Sequence, residues 1–275
     1  MTRKMRGVAG GRRAVTQCPG IGSGLWTINR ESLSFGSATF ASGAGVACIL
    51  AVMLLCIANV LTAAQLAQVD DLLQNQLFDD GRATAGWAAK LVKNNQQLAA
   101  SSPQNMLLQQ TILPALRAHA VFALAAMPKV FRPLTFSRYG VGMSYGEHVD
   151  NALMGEDAQV RSDLSFTVFL NPPDEYDGGE LIVDSASGAQ SVKLPAGSVV
   201  LYPSGFLHRV TPVTRGERRV AVGWLQSLIR RADQREILFE LETLRRQMFA
   251  GAGKSPAFDV LSKNVANLWR LWAEP

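Results

Sequence analysis

The chain has 275 residues, 48% of them hydrophobic and 18% charged, long enough for a sizeable core and too apolar for a disordered protein. Its net charge of +5 resides in residues 1–50, with six Lys/Arg and one acid; the other 225 residues carry 21 of each sign, which excludes a basic nucleic-acid footprint there. Cys18, Cys48 and Cys56 have no C-x-x-C spacing, which excludes a disulfide framework and a thiolate metal site and points to a reducing, cytoplasmic setting.

Residues 1–52 read as a basic and apolar extension, either a disordered tail or sequence upstream of a true start at Met53. The apolar run Phe40–Ala58 leaves a membrane anchor or targeting segment as the competing reading, weakened by the small Ser, Gly and Ala residues of its first half. From 53 to 128 the pattern is that of a helical flank. "MLLCIANVLT" reads as a strand running into a helix, with Thr62 as cap and Gln65 completing a capping box. Leu66, Val69, Leu72, Leu73 and Leu77 would share one face of that helix. Residues 79–98 read as loop and short elements, with "KNNQQ" as a solvated stretch or a substrate contact. Ser102-Pro103 opens a helix toward Ala126, with Pro114 dividing it in two and His119 inside it, away from any ligand role.

From 129 to 228 the texture is β. Short runs at 130–139, 163–170, 180–184, 190–194, 198–202, 208–213 and 218–226 are separated by turn signals, as in an antiparallel sandwich or barrel. The glycines of "YDGG" read as a turn needing positive φ or as a close backbone approach at the mouth of a site, and Gly197 as a structural turn glycine before a strand. From 229 to 275 helices return. One stripe is Ile237, Leu238, Leu241, Leu244 and Met248; the other is Leu261, Val265, Leu268 and Trp272, on a helix opened by Ser255-Pro256. These last helices can pack on the core or on a second subunit.

Three histidines serve the whole chain, and two fall in the β region. His148 and Asp150, at i and i+2 at the end of a strand, aim at one point. His208 is the one other histidine available there. Two imidazoles and a carboxylate on one face of a metal leave positions open, the arrangement of non-haem Fe(II) oxygenases. Taken singly, each residue has a duller use: H-x-D in a surface loop, a histidine satisfied in a core. Arg218, ten residues after His208, would bind the far carboxylate of a dicarboxylate if it faces the same cavity. Trp224 and Gln226 share its strand parity, whereas Arg219 would be an exposed strand charge. Tyr202 and Trp224 are open to either core or pocket.

The stretches "RYGVGMSYGEHVDNAL", "RSDLSFTVFLNPPDEYDGGEL" and "VKLPAGSVVLYPSGFLHRVTPVTRGERRVAVGWLQS" resemble the PKHD-type hydroxylases, bacterial Fe(II)/2-oxoglutarate dioxygenases of the prolyl 4-hydroxylase-like group. The "DGRATAG" and "VKNNQQ" segments extend the resemblance, which runs from about Met53 to the C-terminus. It implies an α+β chain with a mainly β, double-stranded β-helix (jelly-roll) core and flanking N- and C-terminal helices. It also implies Fe(II) held by His148, Asp150 and His208, and 2-oxoglutarate held by Arg218 with a hydrogen bond from Tyr139. Substrate hydroxylation would consume O₂ and release succinate and CO₂, with L-ascorbate maintaining the iron. The substrate is left open between a peptide and a small molecule. Competing classes are a non-catalytic metal-binding jelly-roll sensor and a membrane-tethered binding protein.

Overall fold

A computed structural model describes the backbone of Leu25–Ile28 and residues 54–275 apart from Asp157, Ala186 and Ser187. The rest of the 1–52 extension, and most of the Phe40–Ala58 run, lie outside the described residues. Leu25–Ile28 pairs in parallel with Leu54–Ile57 at one edge of the larger sheet. Among the described residues, no helix is long and apolar enough to cross a membrane.

Two sheets, antiparallel apart from that edge pair, build the core. The larger has nine strands, among them Thr135–Tyr139, Leu164–Phe169, Val199–Pro203 and Arg218–Ser227. The smaller has five, with His208–Val210 between Leu181–Ser185 and Ser144–His148 and Lys93–Asn94 at its edge. Alternation along each strand sends side chains to two different cores. Tyr139, Phe169, Tyr202 and Val220 of the larger sheet pack with Leu181, Val183 and Val210 of the smaller. On the opposite face Phe136, Phe166, Leu201 and Leu225 pack beneath the N-terminal helices. This is the expected jelly-roll core with helical flanks.

Thr62 caps the helix Ala63–Leu73 with the full capping box to Gln65. Leu77 departs from the expected stripe. The helix stops at Leu73, Asn75 takes a positive φ of 55°, and Leu77 is left exposed. The segment after Ser102 forms two helices, Pro103–Ala118 and Ala120–Ala126, but Pro114 stays inside the first. The division falls at His119, which is extended and caps the second helix by accepting from the Phe122 amide. His119 is thus a junction residue rather than a helical one.

Residues 93–97 are also not a solvated loop. Lys93–Asn94 and Gln96–Leu98 are short strands, one in each sheet, and Lys93, Asn95 and Gln97 are buried. Gly146 permits this close approach, since a Cβ there would meet the Val92 Cβ at 2.7 Å.

The helix Ala232–Ala252 buries Arg235, Leu238, Phe239, Glu242 and Thr243 and exposes Leu244. The expected stripe is therefore rotated, because its polar members are satisfied. Arg235 donates to the Ile229 and Arg230 carbonyls, and Glu242 accepts from Arg245 and Arg246. Helix Pro256–Trp272 packs against it with Leu261, Val265, Leu268 and Trp272 inward, as the periodicity predicts.

Candidate active site

A cavity of about 710 Å³ opens between the two sheets. His148 ends its strand opposite His208 on the neighbouring strand. Asp150, two residues on, has just left the strand and reaches across to the larger sheet, where the Ser165 hydroxyl donates to its Oδ2 at 2.6 Å. Ser165 is fully buried and in turn lies 2.7 Å from the Ser204 hydroxyl, which is placed to donate to it. The bond thus ties the H-x-D turn of one sheet to the middle of the other.

Among the described residues, His148, Asp150 and His208 form a cluster whose ligand atoms all lie within 4.8 Å of one another. His208 Nε2 is 3.7 Å from Asp150 Oδ2. Both imidazoles are oriented through Nδ1, which sits 2.8 Å from the Gly146 carbonyl in His148 and 3.0 Å from the Phe206 carbonyl in His208. A carbonyl only accepts, so each Nδ1 carries the proton and each Nε2 keeps its lone pair for a metal. Burial, followed by the neighbouring His208, lowers the His148 pKa to about 4, so this ring is neutral near pH 7. Tyr145 stacks on it at 3.6 Å and fixes its plane. Two imidazoles and one carboxylate on one side of an open cavity fit Fe(II).

Arg218 lines the same cavity and is 1% exposed. It stands opposite Tyr139 in the sheet, with its guanidinium 5.1 Å from the Tyr139 ring and 5.6 Å from that of Phe169. Its Nε is buried without a hydrogen-bond partner, and among the described residues no carboxylate pairs with it. Gly179 makes room for its stem; with φ at +66°, a Cβ there would lie 3.0 Å from Arg218 Cδ. The paired glycines of "YDGG" therefore serve both turn and site, Gly178 taking φ +71°. Arg219 points the other way, pairs with Asp70, and has the surface role its parity predicts. Trp224 lines the cavity, and Tyr202 both lines it and packs in the core between the sheets. Gln226 does not line it; the strand bulges between Gln226 and Ser227. Burial raises the hydroxyl pKa of both Tyr139 and Tyr202, keeping them protonated as donors.

Sequence reasoning missed Ser165, Ser204 and Tyr145, and it left 93–97 between a solvated stretch and a substrate contact without singling out Lys93 or Asn95. Ser165 was discoverable as a hydroxyl in the apolar run "LSFTVF", at the same parity as Thr167, which lines the cavity. Lys93, Asn95 and Gln97 alternate on one face of "KNNQQ", a period-2 signal in a stretch too polar to read as strand.

This constellation is that of a known class. A model of the 2OG-Fe(II) oxygenase superfamily matches residues 134–226, a span containing the three clustered side chains and Arg218. A PKHD-type hydroxylase of Acaryochloris marina (strain MBIC 11017) is 54% identical over 222 residues, 81% of this chain and 100% of that protein. A second, from Picosynechococcus sp. (strain ATCC 27264 / PCC 7002 / PR-6), is 53% identical over 218 residues, 79% of this chain and 98% of that one. A crystal structure of a Pseudomonas putida prolyl-4-hydroxylase, 22% identical, aligns over 62% of this chain and 91% of that chain with a TM-score of 0.44. The chain belongs to the PKHD-type hydroxylase family. Membership makes it a dioxygenase and implies Fe(II) and 2-oxoglutarate.

Proposed function

We propose that His148, Asp150 and His208 hold the iron and that Arg218 pairs with the distal carboxylate of 2-oxoglutarate, to hydroxylate a substrate with release of succinate and CO₂. The observation that carries this reading is the coexistence, in one cavity, of the three-ligand cluster and a buried guanidinium with no anion of its own. A buried charge without a partner is costly, and a dicarboxylate supplies that partner. A metal-binding sensor needs the cluster but not Arg218, so the arginine favours the enzyme.

Bound Fe(II) would supply the activation of O₂. The chain's part is positional. The Gly146 and Phe206 carbonyls hold the two imidazoles as Nδ1–H tautomers, and Ser165 holds the Asp150 carboxylate. Tyr139 presents a protonated hydroxyl beside Arg218 for the same co-substrate. The buried aromatic wall limits water around the reacting groups. L-Ascorbate is part of the proposal as the reductant that restores iron after turnovers without substrate. The cysteine pattern supports a cytoplasmic setting.

Succinate formation from 2-oxoglutarate by the purified chain, with Fe(II), O₂ and ascorbate, tests the reading. Wild type should form succinate, and His148→Ala should not. Tight metal binding without 2-oxoglutarate binding would favour the sensor instead.

A further inference from the structure

The iron cluster and Arg218 leave one group of buried polar side chains unused. Lys93 and Asn95 come from the strand pair at the cavity edge, are 6% and 3% exposed, and line the cavity. Neither the Nδ2 nor the Oδ1 of Asn95 completes a hydrogen bond, although its amide faces the Tyr139 phenol. Gly81 is shaped around this amide, since a Cβ there would lie 1.9 Å from Asn95 Oδ1. Lys93 Nζ donates to Thr84 Oγ1 at 2.9 Å and stands 5.1 Å over the Tyr145 ring, the ring stacked on His148. Among the described residues, no carboxylate forms an ion pair with this ammonium, so donor capacity remains.

Nor is the opposite wall satisfied, because Trp224 Nε1 is buried and unpartnered there. Arg132 adds a second cation beyond Arg218. Of the carboxylates lining the cavity, Asp150 belongs to the ligand cluster and Glu156 is exposed. The interior therefore has more hydrogen-bond donors and positive charge than its own acceptors use. Buried donors in excess, beside a cation, match an oxyanion.

We propose that Lys93 and Asn95 form a carboxylate-binding subsite for the substrate, separate from Arg218, so that the hydroxylated molecule is a carboxylic acid or carries an acidic side chain. This rests on the dioxygenase reading above. The ammonium and the Asn95 Nδ2 would donate to the carboxylate. Held there, a substrate would lie against the Tyr145–His148 wall.

The test uses the full chain loaded with Mn(II) in place of iron and saturated with 2-oxoglutarate, whose own affinity is measured first. Calorimetric titrations then compare hexanoate and benzoate with hexanamide and benzamide. Capped aspartate and glutamate residues are compared with capped asparagine and glutamine, which separates a small acid from a protein side chain. At least one acid should bind about tenfold or more tighter than its amide, the range of a charge-assisted hydrogen bond. Lys93→Met should abolish that preference, and Asn95→Asp should invert it by like-charge repulsion. Melting temperatures confirm that both variants fold. No acid preferred over its amide in the wild type, or a preference that survives Lys93→Met, overturns the proposal. So does a Lys93→Met variant whose main loss is in 2-oxoglutarate affinity, because the subsite would then belong to the co-substrate. Failure of the wild type to bind 2-oxoglutarate at all would instead sink the underlying dioxygenase reading.

Discussion

The strand Arg218–Ser227 has two faces that obey different rules. Toward the helices, Ala221 and Leu225 pack into an apolar core, and Arg219 meets Asp70. Toward the smaller sheet, Arg218 and Trp224 each bury a nitrogen with no partner. Folding alone favours the first arrangement, because a buried polar atom left unmatched costs about 1–3 kcal/mol. That the second persists one residue away, on the face that also meets the cavity of His148, Asp150 and His208, fits a face built for ligands. The difference between Arg218 and Arg219 is a parity of one residue.

Substitutions can break this contrast. The largest effect should come from the ligand cluster: His148→Ala, Asp150→Ala or His208→Ala should each reduce succinate formation to background, with metal content by atomic absorption falling in parallel. Next, Ser165→Ala leaves the ligands intact but frees the Asp150 carboxylate, and metal affinity in a competition titration should fall by about 10- to 100-fold. A third expectation concerns acid. The His148 pKa is depressed from 6.5 to about 4 in the folded protein. The unfolded chain thus binds more protons between those values. The share of the metal-free protein's stability that depends on this group should be complete above about pH 6.5 and lost as pH falls toward 4. Thermal melts across that window check the sign, and a melting temperature that rises on acidification contradicts it. Smallest should be Thr62→Ala, far from the site, costing about 1 kcal/mol through the lost cap with 2-oxoglutarate affinity unchanged.

The cluster was legible in the sequence because histidine is scarce and His148, Asp150 and His208 fall together, in order, in the β region. Arg218 was legible by parity. The cap at Thr62 followed from a local rule that tertiary packing left alone. The burial of Lys93 and Asn95 was not legible, because lysine and asparagine are ordinarily exposed and this segment pairs with strands 40 to 52 residues away. His119 misled because it caps a second helix instead of continuing the first, and the helix Ala232–Ala252 misled for a reason of its own. Polar groups satisfied by carbonyls or by arginines can face inward, and a purely apolar stripe then points the wrong way.

The most direct test of the central contrast is 2-oxoglutarate affinity, by calorimetry on Mn(II)-loaded wild type, Arg218→Met and Arg219→Met. The account predicts about 100-fold or greater weakening for Arg218→Met, with the ligand-free protein no less stable because an unpartnered buried charge is gone. Arg219→Met should bind as wild type and lose at most about 1 kcal/mol of stability with its surface pair. Equal affinities for wild type and Arg218→Met would contradict the account, since the partnerless face would then hold its arginine for something other than the co-substrate.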